Sequence, residues 1–391
     1  MKEEVPGYNC LTEVKETLPI EYYLDQDHYK RELELIWYKN WVYVCRADAL
    51  AEQLAYRTIE IGSQNIIVLR DDNDNLQSYH NTCRHRGSIL VTEAEGVLRS
   101  KSIVCPYHNW SYSLDGDLQH TSSKHCPSDF DQSDHSLYEV AVIEWNGCVF
   151  VNLAGENAKP IEECIQNGSA DLNNWPMADL KVGHSFRKTM DCNWKIFWEN
   201  FNECLHCPRV HKDLSKLVPI YGRALLDPHD DPDWKVKIKS SDPKLSGGLR
   251  KGAQTWTTNG LPIGKVFPNL SEQEIKEAHN YTVIYPTVFI VAHVDYIRVV
   301  RLMPLGPEKT EMHVEWLFTE ETLIDDNIDI GPAIDFVKTV LLEDAYVSEL
   351  NQKGIRSIRH KKGTLMPEEY DVYAFHTWVR QQLGFSSVSV D

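Results

Sequence analysis

The sequence predicts an α+β fold in two parts: a small β-rich domain, then a larger domain with an antiparallel sheet and flanking helices. Three observations predict it. Between Trp41 and about Leu153 the chain is cut into short runs of β-branched and aromatic residues separated by turn signals. Beyond residue 160, helical stripes alternate with strand-like runs. Finally, 391 residues exceed what one compact core accommodates.

Residues 1–40 read as an N-terminal arm packing on the second domain, because Leu33, Ile36, Trp37 and Trp41 recur at helical spacing with charges between them. In the β-rich part, residues 41–155, strands are expected at Val42–Cys45, Tyr56–Ile61, Asn65–Leu69 and Gly147–Asn152. Asp71–Asn75 and Asp115–Asp117 supply turns, and Asn152–Pro160 reads as the linker. In residues 156–391, a helix is expected over Asp191–Leu205, with an apolar stripe of Trp194, Phe197, Trp198, Phe201 and Leu205. Residues 222–265, rich in Asp, Pro, Gly and Ser, read as a loop placed to act as an active-site lid. Ser271 and Glu274 form a capping box. Strands follow at Tyr281–Tyr285, Tyr296–Leu302 and Glu311–Phe318, and alternation in the last two predicts a sheet with one wet face. A long helix spans about Pro332–Gln352 and ends near Gly354.

Composition is that of an ordinary soluble globular protein, 42% hydrophobic and 25% charged. A net charge of −18 argues against nucleic acid or an anionic membrane as partner. Met1–Gly7 lacks the pattern of a signal peptide, and the most apolar stretch, Val283–Val294, is broken by Pro286 and too short to span a bilayer. Ten cysteines without an export signal suggest a cytoplasmic protein with reduced or metal-bound thiols.

Two clusters of residues carry chemistry. Cys83-Arg-His85 and Cys105-Pro-Tyr-His108 supply two thiolates and two imidazoles, the ligand set of a [2Fe-2S] cluster with cysteines on one iron and histidines on the other. A structural zinc site uses the same residue types, but zinc pairs usually come like with like, whereas each loop here carries one of each. Further on, Asn200-Phe-Asn-Glu203-Cys-Leu-His206-Cys-Pro-Arg-Val-His211 sets a carboxylate three residues before one histidine and a second histidine five residues after it. Glu203 and His206 would share a helix face. A straight helix would splay His206 and His211 by about 140°, but Pro208 ends the helix and lets His211 turn back. Two imidazoles and a carboxylate can hold mononuclear Fe(II) on one face and leave the other open to oxygen. The third ligand is expected to be Asp344, on the last long helix, with Glu343 as the competitor; periodicity does not separate them. Cys204 and Cys207 read as two thiols that bind no metal and form no redox pair.

These motifs resemble the Rieske non-heme iron oxygenases, specifically the oxygenase (alpha) component, over nearly the whole chain. The resemblance implies a Rieske domain followed by a helix-grip, START-like catalytic domain. It implies Cys83, His85, Cys105 and His108 on the cluster and His206, His211 and Asp344 on the iron. It makes Glu203 and Asn200 the candidate catalytic residues, with Glu203 bridging to His108 of a neighbouring subunit in a homotrimer. Electrons would come from NAD(P)H through a reductase bearing flavin and a ferredoxin-type cluster. Glutamate at position 203, and the segment Gln254–Gly260, are similar to the branch acting on glycine betaine, carnitine and stachydrine.

The expected activity is therefore monooxygenation of a small substrate, a quaternary ammonium compound losing an N-methyl group or undergoing C–N cleavage. The alternatives are hydroxylation of an aromatic acid or other ring, the dioxygenase chemistry of ring-hydroxylating relatives, and an electron-transfer or zinc protein without catalytic iron. Trp256, Tyr296 and Arg298 are the candidate substrate contacts: rings for a cationic head, a guanidinium for a carboxylate.

Overall fold

The computed structural model describes residues 7–166 and 168–385. Residues 1–6 of the arm, which hold most of the stretch read for an export signal, and residues 386–391 of the last segment lie outside the described residues.

The β-rich part is built from β1 (Val42–Arg46), β2 (Ala55–Ile61), β3 (Gln64–Arg70), β4 (Leu76–His80), β5 (Glu95–Val97), β6 (Ile103–Val104), β7 (Ser111–Tyr112), β8 (Leu118–His120), β9 (Ala141–Trp145) and β10 (Cys148–Asn152). They form three small antiparallel sheets in the orders β4-β3-β2-β5, β9-β10-β1 and β6-β7-β8. The four expected runs are β1, β2, β3 and β10. β4 was not anticipated, because Leu-Gln-Ser-Tyr-His is polar for a strand and sits at a sheet edge.

The second part centres on a five-stranded antiparallel sheet of β11 (Lys181–Met190), β12 (His279–Ile284), β13 (Val288–His293), β14 (Ile297–Gly306) and β15 (Lys309–Phe318), in the order β11-β15-β14-β13-β12. The apolar stretch 283–294 is the end of β12, a turn at Pro286 and all of β13. The expectation of a wet face needs correction. Alternation is real: Arg301, His313 and Glu315 share one face. That face is nevertheless covered by the β-rich part, where the Tyr43 amide donates to Thr287 Oγ1 at 3.2 Å and the Tyr43 hydroxyl pairs with Glu315. All three polar side chains are buried.

The helices that matter for the site are α1 (Gln26–Glu32), α2 (Trp194–Phe201), α3 (Cys207–Val210), α4 (Lys212–Leu217), α5 (Glu272–Glu277), α6 (Gly331–Gly354) and α7 (Tyr370–Gln382). α2 is shorter than expected at both ends. Asn193 caps it, its side chain accepting from the Lys195 amide at 3.0 Å, and the chain leaves the helix after Phe201. Trp198 fixes α2 on the sheet: its indole donates to Pro286 O at 2.9 Å and its ring meets Phe289 edge-on. The region 222–265 is not a featureless loop. It contains short helical turns at Pro228–Asp230, Trp234–Lys237 and Pro243–Ser246. The Ser271–Glu274 capping box is present at the start of α5. Among the described residues, no helix is long and apolar enough to cross a membrane.

The arm is tied to α2 by a buried ion pair. Lys195 Nζ lies 2.5 Å from Glu32 Oε1, Trp194 Nε1 donates to Glu32 Oε2 at 2.8 Å, and both charged side chains are 0% exposed. Removing one partner strands the other charge in the interior, at a cost of about 3–5 kcal/mol. Glu32→Gln and Lys195→Met are each expected to lose about that much stability, and the double variant less than the sum. A double-mutant cycle by chemical denaturation checks this; simply additive losses would show that the pair is not coupled.

Candidate active site

The four candidate cluster residues sit on two loops facing each other. The first loop closes between β4 and β5: Cys83 N–H donates to Ser88 O at 2.8 Å and Gly87 N–H to Cys83 O at 2.9 Å. Gly87 has φ +77°, which a side chain would strain. The second closes between β6 and β7, with Cys105 N–H on Trp110 O at 2.8 Å and Asn109 N–H on Cys105 O at 3.0 Å. Both cysteines are buried in the satellite core beside Tyr112, and the imidazoles lie outward of them, ring centroids 4.8 Å apart. His85 stacks on Trp110 at 8° between planes, while the Arg86 guanidinium donates to His108 Nε2 at 2.9 Å. Buried sulfurs with outer imidazoles suit the mixed-ligand cluster: thiolates on the inner iron, neutral rings on the outer one. Sequence reasoning missed Tyr112, whose hydroxyl donates to Cys83 Sγ at 3.2 Å and accepts the Arg84 amide at 3.0 Å.

The mononuclear site forms where the chain turns out of α2. Spacing predicts that Glu203 and His206 share a helix face; instead they lie in the turn between α2 and α3. The turn still brings them together, with His206 Nδ1 2.5 Å from Glu203 Oε1. Pro208 opens α3 rather than ending a longer helix, and His211 sits at the α3–α4 corner with φ −103° and ψ 72°. From α6, Asp344 Oδ1 approaches His211 Nε2 to 2.8 Å and His206 Nε2 to 3.4 Å, and the two Nε2 atoms are 3.1 Å apart. Glu343 takes a different atom, His211 Nδ1, at 2.8 Å. Each imidazole thus has Nδ1 directed at a carboxylate, Glu203 or Glu343, which leaves its Nε2 lone pair for the shared point.

The electrostatics of that point favour a cation. Burial alone would lower the His206 pKa, but hydrogen bonds to Asp344 and Glu203 outweigh it and push it up to about 10. Burial alone would raise Asp344, but the two imidazoles bring it down to about 2. Two imidazole nitrogens and one carboxylate oxygen on one side of a point fit a divalent iron with open positions. Cys207 Sγ comes within 3.8 Å of His206 Nε2, yet Cys207 is disulfide-bonded to Cys204. The reading of these two as unpaired thiols is therefore corrected: the turn brings their Cα atoms to 5.0 Å, within bridging range. Asn200 lies against the His206 ring, its amide nitrogen 3.4 Å from Nε2.

A cavity of about 820 Å³ opens onto these ligand atoms. Phe201, Tyr221, Trp256, Tyr281, Tyr285 and Arg298 line it. Trp256 and Arg298 are where the sequence places substrate contacts. Tyr296 is not: it lies behind Trp256, its hydroxyl donating to the Trp256 carbonyl at 2.6 Å and its ring stacked between His293 and Phe318. Tyr221, Tyr281 and Tyr285 carried no signal of their own in the sequence, since aromatic residues at such positions usually serve the core.

A hydrogen bond to a cluster sulfur stabilises the more electron-rich reduced state. If Cys83 and Cys105 hold a [2Fe-2S] cluster, Tyr112→Phe is expected to lower its reduction potential and to leave imidazole ligation by His85 and His108 intact. A spectroelectrochemical titration checks the direction; an unchanged potential would show that the Tyr112 contact does not persist in the loaded protein.

Comparison with known proteins identifies the family. Residues 40–139 match the family described as Rieske [2Fe-2S] domain, and residues 177–384 match ring hydroxylating alpha subunit (catalytic domain). The chain is 28% identical over 395 residues to the glycine betaine monooxygenase oxygenase subunit of Chromohalobacter salexigens, covering 93% of this chain and 84% of that one. It is 27% identical to the chloroplastic choline monooxygenase of Beta vulgaris, covering 97% and 79%. Among solved structures, the quaternary ammonium Rieske monooxygenase CntA with γ-butyrobetaine superposes with a TM-score of 0.68 at 21% identity, over 97% of this chain and 99% of that one. Naphthalene 1,2-dioxygenase from Rhodococcus sp. gives 0.66 at 18% identity, over 95% of each chain. These last two speak for the fold. The catalytic-family match alone spans just over half of the chain, and on it the protein belongs to the ring-hydroxylating alpha subunits of the Rieske non-heme iron oxygenases, enzymes that carry a [2Fe-2S] cluster and a mononuclear iron.

Proposed function

We propose that this chain is the oxygenase component of a multi-component monooxygenase acting on a small quaternary ammonium compound. The observation that carries the reading is the convergence of His206 Nε2, His211 Nε2 and Asp344 Oδ1 on the aromatic-lined cavity. We assign Cys83, His85, Cys105 and His108 to the cluster, within a domain of residues 41–155, and His206, His211 and Asp344 to the iron, within residues 156–391. When bound, the cluster supplies electrons and the iron activates oxygen.

The chain's own residues do the rest. Glu203 and Glu343 accept the Nδ1 protons of His206 and His211 and so hold both rings with Nε2 inward. The faces of Phe201, Tyr281 and Tyr285 offer a methylated cation the attraction of their π-systems, worth about 2 kcal/mol when desolvated. A trimethylammonium head has no hydrogen-bond donor, so rings satisfy it where polar groups would not. The names of the curated relatives, glycine betaine and choline monooxygenases, support this substrate class. Glu203 belongs, on this reading, to the electron path: one oxygen on His206, the other toward His108 of a neighbouring subunit in a homotrimer. The partner is a reductase with flavin and a ferredoxin-type cluster, drawing on cytoplasmic NAD(P)H.

Purified protein is expected to carry about three irons per chain with acid-labile sulfide. Asp344→Ala should lose the mononuclear iron and all turnover while keeping the cluster's EPR signal. Full iron content in that variant, with loss in Glu343→Ala, would move the third ligand to Glu343. Glu203→Gln keeps size but replaces one acceptor oxygen with a donor amide. It should retain both metals and lose most turnover, its reduced cluster failing to reoxidise in single-turnover mixing with substrate and oxygen. Reoxidation at the wild-type rate would remove Glu203 from the electron path.

A further inference from the structure

One group in the cavity wall is left without a counterpart. Arg298 is 4% exposed, and its Nε and Nη1 atoms have no hydrogen-bond partner among the described residues. No carboxylate forms a salt bridge with it among the described residues either. A guanidinium taken out of water and left unpaired is strongly unfavourable, so such a group is normally found with an anion. The guanidinium lies over the ring of Trp256, 5.2 Å from guanidinium carbon to ring centroid.

The surroundings do not relieve it. Tyr221 and Tyr281 satisfy each other, oxygen to oxygen 2.5 Å, and Tyr221 also meets His279 Nε2 at 3.0 Å. His279 and His293, cross-strand partners that both pack on Trp256, are held neutral, His279 down to about 4 by burial and by Arg298. The sheet register sharpens the anomaly. Arg298 stands opposite Trp316 and Val291, on the face that continues through Val300, Val314, Leu302 and Met312. Lys188, the other cation of that face, sits opposite Met312 and pairs with Glu349 at 3.4 Å, whereas Arg298 opens onto the cavity that also holds His206, His211 and Asp344.

Resting on the reading above, we infer that Arg298 is the carboxylate anchor of the substrate site, so that the substrate is a zwitterion: a methylated ammonium head toward the iron ligands and a carboxylate on the guanidinium. An amino alcohol such as choline supplies the head but leaves Arg298 unpaired. A betaine supplies both, and the planar guanidinium matches a carboxylate with two parallel donors.

The test compares glycine betaine, γ-butyrobetaine, choline and benzoate as ligands and substrates of the iron-loaded oxygenase, by calorimetry without oxygen and by oxygen uptake with a reductase. A betaine should bind about 10- to 100-fold more tightly than choline, the range for a charge-assisted hydrogen bond. Arg298→Gln should erase that preference by weakening the betaine and sparing choline, and Arg298→Lys should restore part of it. The wild-type ligand comparison does not depend on either variant folding. Choline held as tightly as every betaine by the wild type, or a preference unchanged in Arg298→Gln, overturns the anchor and leaves the quaternary ammonium oxygenase standing. Tight binding of benzoate alone, lost in Arg298→Gln, supports the anchor and sinks the ammonium reading instead.

Discussion

A single carboxylate oxygen, Asp344 Oδ1, sets the geometry on which the rest of the catalytic half depends. It belongs to α6, yet lies 2.8 Å from His211 Nε2 and 3.4 Å from His206 Nε2, groups more than a hundred residues earlier. Two elements so far apart in sequence meet at hydrogen-bond distance only if each is fixed independently. α2 is fixed by its cap and by Trp198 on Pro286. α6 is fixed to the start of α2 by Gln352, which accepts the Asn193 amide at 2.7 Å and donates to Glu308 at 2.9 Å. The arm then locks α2 from outside through Glu32 and Lys195. Loss of any of these ties would free an element that carries a member of the triad, because a buried polar group left without its partner is costly.

The β-rich part meets this machinery through the opposite face of the sheet. Arg301, His313 and Glu315, which read as solvated positions, form a buried polar layer with Tyr43. The cluster loops lie elsewhere in that part, and none of Cys83, His85, Cys105 or His108 lines the substrate cavity. Within one chain the two proposed metal sites therefore have separate surroundings: a polar, partly exposed pair of imidazoles for the cluster and a cavity with aromatic walls for the iron. Such a division lets an electron donor approach the proposed cluster from outside without entering the cavity.

The rings around Arg298 are uncharged. His279 and His293 are neutral because burial and the neighbouring Arg298 both oppose a second positive charge. The tyrosine hydroxyls are pushed upward by burial and do not ionise. The charged groups of the described walls are then Arg298, the proposed iron ligands and the carboxyls of Glu203, Asp227 and Asp371, with aromatic rings among them.

By itself the sequence determined what depends on residue type at short spacing. The two Cys–His loops, the Glu–His–His turn, the capping box at Ser271 and the strands rich in β-branched residues are all local patterns, set by the reach of a few covalent bonds. Tertiary structure decided everything that compares distant segments. Asp344 and Glu343 are adjacent, and only the pitch of α6 against the α3–α4 corner assigns Oδ1 to both Nε2 atoms and Glu343 to Nδ1. Cys204 and Cys207 look like any Cys-x-x-Cys until the turn closes them into a disulfide. The alternation of β14 and β15 is plain in the sequence, but whether its polar face meets water depends on where the β-rich part docks. Arg298 and Arg301 are three residues apart in a strand and so must point to opposite faces. One finds Glu311 at 2.8 Å, the other faces the cavity unpaired, and only the packed sheet tells which.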